Sequence, residues 1–351
     1  MRTQANSRNS TIIGLWLMTG VVMIIIQITL GGITRLTGSG LSITEWKPLL
    51  GTIPPLNGQD WQHSFEKYRQ IAQFKQLNSH FSIEDFKFIF FWEWFHRLWG
   101  RLLGIVFIIP FITFLLKGMI KRQMIGPFLL LFLLGSLQGL LGWIMVKSGL
   151  NETDLYVNHI KLAIHFMAAI ILLVYNFWLG LKYLIPDVGK PPVQGSGVLI
   201  FTLILLGIQL TYGAFMAGLK AGVYAPTWPD INGVLFFPPI DYSSMASFVN
   251  TPLGIHFIHR NLAYLISALI FLWTYQVFNK HSGYNTARTL PCLFVLVQVV
   301  LGVYTTITSY KAIPQGWGVF EWSAQLHQIV AIFLLLSVVL NLFPERRTSP
   351  K

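Results

Sequence analysis

Eight stretches of this chain are apolar for long enough to cross a bilayer, and that requirement constrains everything else the sequence can form. A hydrocarbon core of about 30 Å takes about 20 apolar residues as helix, because backbone in lipid must satisfy its own hydrogen bonds. Windows of that kind fall near residues 11–33, 91–116, 126–146, 158–183, 197–219, 255–278, 288–309 and 321–343. The expected fold is an all-α polytopic membrane protein with eight transmembrane helices. Composition agrees, since 54% hydrophobic and 11% charged residues are out of range for a soluble globular domain.

A net charge of +12 would point to nucleic acid in a soluble protein. Here Lys and Arg gather at the ends of apolar segments, in the loops near 117–122, 182–190 and 280–288 and at both chain ends. Topology explains that pattern, so no nucleic-acid partner is expected. Both termini are predicted cytoplasmic, which puts the long segment 34–90 outside, with a short helix around Gln59 to Leu77. The first apolar run is too long for a signal peptide's h-region and reads as a retained helix. Cys292 is the only cysteine, which excludes disulfides, Cys-based zinc sites and iron–sulfur clusters.

The two halves repeat. Ile26-Gln27-Ile28-Thr29-Leu30-Gly31 returns as Ile208-Gln209-Leu210-Thr211-Tyr212-Gly213, and His96-Arg97 returns as His259-Arg260. Gln138 to Gly142 returns as Gln298 to Gly302, and Leu162-Ala163-Ile164-His165 matches Ala324-Gln325-Leu326-His327. Two parallel repeats of four helices are expected. Residues 1–185 form the N-terminal bundle, 186–197 a cytoplasmic linker and 198–351 the C-terminal bundle.

His96, His165, His259 and His327 each lie about one and a half turns into an apolar window running from outside to inside, in one layer near the outer face. One histidine from each of two helices at equal depth is the geometry of bis-histidine haem, so one haem per half follows. Arg97, Arg101 and Arg260 are placed to bind propionates through bidentate hydrogen bonds. His159 is rotated away from His165 and reads as interfacial or as a support to the ligand. His256 stands one turn before His259, facing propionates or water. His63, His80 and His281 read as solvated loop residues. Glu93, one turn from His96, has no counterpart at the matching place in the second half. A carboxylate in a poorly hydrated pocket suits proton handling or stabilisation of positive charge. The glycines at 31, 32, 38, 40, 135, 139 and 142 read as sites of close helix packing. Trp92, Trp94 and Trp99 read as an interfacial belt.

These residues resemble a family. Gly31-Gly32-Ile33-Thr34-Arg35-Leu36-Thr37-Gly38-Ser39-Gly40-Leu41-Ser42 with Glu45-Trp46-Lys47-Pro48, Glu93-Trp94-Phe95-His96-Arg97 with Trp99-Gly100-Arg101, Leu162-x-x-His165, His259-Arg260 and Leu326-His327-Gln328 are similar to the haem A synthases of proteobacteria and mitochondria. The resemblance covers nearly the whole chain. It implies oxidation of a methyl group of haem O to a formyl group by successive hydroxylations, with water as the oxygen source. It assigns His259 and His327, with Arg260 beside them, to a resident haem B, and places the substrate at His96 and His165, with Glu93 as the carboxylate of the chemistry. It further implies a bacterial inner-membrane location, a haem O synthase as supplier, a membrane electron acceptor and terminal oxidase assembly as the product's destination. A homo-oligomer is compatible with it. One branch of the family carries a cysteine pair in an outer loop, which this sequence lacks, so no mechanism through that pair transfers. Residues alone leave two other classes open: a diheme cytochrome b that carries electrons, and a haem transporter or chaperone.

Overall fold

The computed structural model describes residues 2–46, 50–185, 196–280, 286–313 and 316–343. Most of the expected linker 186–197, His281 and the Lys47-Pro48 end of the outer-loop motif lie outside the described residues. Among those described, the fold is helical apart from one isolated bridge between Ile231 and Val234. Eight helices among the described residues are long and apolar enough to cross a membrane. They are α1 (Arg2–Leu36), α4 (Ile83–Leu116), α5 (Arg122–Lys147), α6 (His159–Leu184), α7 (Ser196–Gly218), α9 (Pro252–Lys280), α10 (Thr286–Thr308) and α11 (Val319–Leu342). The shorter α2 (Gly58–Tyr68), α3 (Ala72–Leu77) and α8 (Met245–Asn250) belong to the connections.

Two expectations are corrected. The helix around Gln59 to Leu77 is broken into α2 and α3. The chain turns at Arg69 to Ile71 so that Ala72 N–H donates to Asn151 O (3.0 Å) and Gln73 and Asn78 reach the Tyr68 hydroxyl (3.0 and 2.6 Å). Burial beneath this turn pushes the Tyr68 phenol up to about 12. The second correction concerns α4, which starts at Ile83 rather than near Phe91. Ser82 and Asp85 form a capping box: Asp85 N–H donates to Ser82 Oγ and Ser82 N–H to Asp85 Oδ2. Glu84, Asp85 and Lys87 interrupt the apolar run, yet Phe86, Ile89 and Phe90 on the other face are buried against Phe65, Tyr68 and Phe74 of the outer segment. His96 therefore sits about three and a half turns inside α4.

In the first half, α1 touches α4 and α6, and α5 touches α4 and α6; in the second, α7 touches α9 and α11, and α10 touches α9 and α11. Contacts of α1 with α11, of α6 with α7 and of α6 with α11 join the halves. The largest buried cluster lies along that junction, from Ile24, Ile28 and Leu173 to Leu210, Trp273 and Leu335. Apolar residues such as Ile109, Leu133 and Val300 face outward, as they must where the surroundings are lipid.

Gly32 sets the closeness of α1 and α11. Gln325 Nε2 donates to Thr29 O (3.2 Å) and Gln328 Nε2 to Ile28 O (2.9 Å). A Cβ at position 32 would stand 2.5 Å from Gln325 Oε1 and 2.8 Å from Gln328 Oε1. Gly32→Val should therefore push both glutamines off α1, at an overpacking cost of about 1–3 kcal/mol. Thermal unfolding in detergent reads this as a lowered midpoint; an unchanged midpoint means the helices are free to separate there at no cost.

Candidate functional site

The four histidines expected in one layer do come together around one cavity. Its volume is about 1410 Å³, and His96, His165, His259 and His327 all line it. Small-molecule sites commonly enclose about 300–1,000 Å³, so this one has room for more than one ordinary ligand. Each ring faces a glycine on a neighbouring helix. A Cβ at Gly31 would stand 3.2 Å from His96 Cε1, at Gly142 3.1 Å from His165, at Gly213 3.5 Å from His259 and at Gly302 2.9 Å from His327. Gly31 and Gly142 were expected to let helices approach one another; what fills the space that all four glycines leave is imidazole. Their pairing with the histidines was hidden because each pair spans two helices.

Three histidines also meet a glutamine. Gln27 Nε2 lies 3.3 Å from His96 Nε2, Gln209 Nε2 3.5 Å from His259 Nε2 and Gln298 Nε2 3.2 Å from His327 Nε2. On all four rings Nδ1 is buried with no hydrogen-bond partner among the described residues. A buried polar nitrogen without a partner is costly unless a ligand completes it. The rings of His259 and His327 stand 6.3 Å apart, centroid to centroid, at an interplanar angle of 69°. Two imidazoles this close would both reach a single metal held between them. Two histidines are too few to hold a bare ion, and among the described residues no group of three His, Cys, Asp or Glu gathers to do so. An iron already held by a porphyrin would need only two such histidines, and the residues present fit that group.

Glu93 is buried, but it is not a lone carboxylate. Its Oε2 accepts from Ser42 Oγ (2.7 Å) and Ile43 N–H (2.8 Å), and its Oε1 from Arg97 Nη2 (2.5 Å). Arg97 in turn donates to Ile43 O (3.0 Å) and Glu45 O (3.2 Å). The pair thus fastens the chain leaving α1 to the face of α4 that carries His96. Arg260 does the same in the second half, donating through Nη1 to Pro229 O (2.7 Å) and Asp230 O (2.6 Å). Arg97, Arg101 and Arg260 all line the cavity, but two of the three already hold loop carbonyls.

A second buried carboxylate escaped the sequence reading. Glu321, at the start of α11, accepts from Ile313 N–H (2.9 Å) through Oε1 and from Gly318 N–H (2.9 Å) through Oε2, and it lines the cavity. It secures the chain entering α11 as Glu93 secures the chain leaving α1. A glutamate three residues after a helix's first cap is the available signal, and Gly318 in the cap obscured it. His159 is a brace between halves: its Nε2 lies 3.1 Å from Val249 O and its ring stacks edge-on against Phe215. His256 is buried and lines the cavity; His63 and His80 are exposed, and His80 also lines the cavity. Trp94 and Trp99 are ties within the protein, donating to Thr52 O (3.0 Å) and Met23 O (2.9 Å).

Fold and site define a multi-pass membrane protein in which four helices bring two pairs of histidines to one internal cavity. Residues 14–339 match the model of the cytochrome oxidase assembly protein family COX15-CtaA. A heme A synthase of Flavobacterium psychrophilum is 35% identical over 343 residues, covering 95% of this chain and 98% of the relative. Those of Sphingopyxis alaskensis and Rhodospirillum centenum are 38% and 39% identical, covering 91% and 84% of this chain and 88% and 80% of the relatives. The chain belongs to the haem A synthase family, as its motifs led us to expect.

Proposed function

We propose that this chain converts haem O to haem A, oxidising one methyl group of the ring to a formyl group by successive hydroxylations with water as the oxygen source. The observation that carries the reading is the arrangement of four histidines, each seated against a glycine and turned on one cavity, in a chain whose relatives are named for this reaction. The two halves act as two four-helix repeats, residues 1–185 and 198–351, joined by the linker 186–197. Their division of labour follows the resemblance. His259 and His327 hold a resident haem B, with Arg260 beside it. His96 and His165 receive haem O, with Arg97 and Arg101 toward its propionates.

Haem B, when bound, supplies one-electron chemistry. The protein's own residues do the rest. Glu93, held by three donors, presents a fixed negative charge one turn from His96. A preorganised charge of that kind stabilises positive charge developing on the methyl carbon and can accept a proton as water adds. Electrons released at each oxidation pass to an acceptor in the membrane. The termini face the cytoplasm of a bacterial inner membrane, and the histidine layer lies toward the outer face. A haem O synthase supplies so insoluble a substrate, terminal oxidase assembly takes the product, and a homo-oligomer would ease the hand-over.

Co-expression with a haem O source, followed by chromatography of acid–acetone extracts, tests the reading. Haem A should appear only when this chain is present. Accumulation of haem O with no haem A would leave an electron carrier or a haem transporter in its place.

A further inference from the structure

Four copies of one short pattern stand behind the four histidines. Gln27-x-x-x-Gly31 on α1, Gln138-x-x-x-Gly142 on α5, Gln209-x-x-x-Gly213 on α7 and Gln298-x-x-x-Gly302 on α10 each put a glutamine and a glycine one turn apart on one helix face. In every copy the glycine meets the Cε1 edge of its histidine. In three copies the glutamine meets the same ring at Nε2, within 3.2 to 3.5 Å. The fourth copy differs. No hydrogen bond joins Gln138 to His165, and Gln138 Nε2 is buried without a partner among the described residues while lining the cavity beside that histidine.

An amide turned so that its oxygen accepts from Nε2–H fixes the rotation of an imidazole and leaves Nδ1, the nitrogen buried without a partner among the described residues, free to bind a metal. A ring held in that way meets a metal with its ordering already done. A ring without it is positioned by packing alone, as His165 is against Gly142. The two pairs are therefore unequal: His259 and His327 are both held, whereas of His96 and His165 only the first is.

We propose that the four patterns are histidine cradles, closed at His96, His259 and His327 and open at His165, and that the open one makes His165 the ligand that releases the substrate's iron while His96 retains it. The inference rests on the reading of His96 and His165 as the substrate site. The task of each pair accounts for the difference. A resident group has to stay, and both of its donors are fixed. A substrate has to enter and its product leave, which two equally fixed axial donors would oppose.

The test uses purified holoprotein from cells making haem O, with the low-spin spectrum of the haem at His259 and His327 as the control for folding. His165→Ala should keep haem at the first pair and convert it from low-spin to high-spin by electron paramagnetic resonance, whereas His96→Ala should lose most of it. Gln27→Met should weaken haem retention there about tenfold, and Gln138→Met by less than about twofold. Imidazole added to the wild-type holoprotein, which needs no variant to fold, should change the spectrum of the first haem and leave the second unaltered. Equal haem loss from His96→Ala and His165→Ala, equal effects of Gln27→Met and Gln138→Met, or exchange of imidazole at both haems overturns the cradle assignment. A wild-type protein that never holds haem at His96 and His165 overturns the substrate site itself, and is recognised by haem content before any variant is compared.

Discussion

Arg97→Met is expected to destabilise the folded protein by about 3–5 kcal/mol, because it leaves the buried Glu93 carboxylate without its charge partner. Glu93 is only 2% exposed, so water cannot take over the role of the guanidinium. The same change cuts the bonds to Ile43 O and Glu45 O, which tie the outer segment to α4. Glu93→Gln alone is milder, since an amide oxygen can still accept from Ser42 Oγ or Ile43 N–H. Adding Glu93→Gln to Arg97→Met should recover part of the lost stability, because the double variant buries no unpaired charge. Thermal melts of the four proteins in one detergent decide the matter. Strict additivity would show that the two side chains do not act as a unit. The account of Glu93 as a fixed negative charge would then lose its support.

On the proposed assignment of His259 and His327 to a resident haem, His259→Ala and His327→Ala should each strip that haem and bring haem A formation down to background. Groups that merely support a metal ligand are worth about 10–100-fold in affinity, and a direct ligand is worth more. Either single variant leaves one glycine-backed hollow without its ring, at Gly213 or at Gly302, and leaves the other histidine as a lone donor. The reduced-minus-oxidised spectrum and the pyridine haemochrome content of the purified variants report the loss. Retention of a low-spin haem by both variants would move the resident site elsewhere in the cavity.

Much of the scaffold is legible in the sequence because membrane spans obey a length rule that few other elements share. All eight apolar windows are helices, and the errors fall where apolarity stops being the criterion. The first turns of α4 are amphipathic, with Glu84 and Lys87 outward and Phe86 and Ile89 inward, so an apolar window begins too late. The break between α2 and α3 is made by tertiary partners, Asn151 and Asn78, that no local pattern announces. At the site, repetition singled out His96, His165, His259 and His327, which the structure brings to one cavity, since a residue that recurs at the same place in two halves is unlike an isolated core histidine. It could not locate their neighbours. That Gly142 faces His165, that Arg97 closes on Glu93, and that Glu321 is a second buried carboxylate all depend on contacts between segments. At the place matching Glu93 the second half has His256; its own buried carboxylate, Glu321, sits on α11.

The most direct measurement quantifies extracted haems from cells that make haem O together with the wild-type chain, His96→Ala or His259→Ala, each protein first shown to be present in the membrane. The account predicts haem A from the wild type, and haem O with only background haem A from each variant, because one pair receives the substrate and the other the resident cofactor. Haem A at wild-type levels from either variant would contradict it.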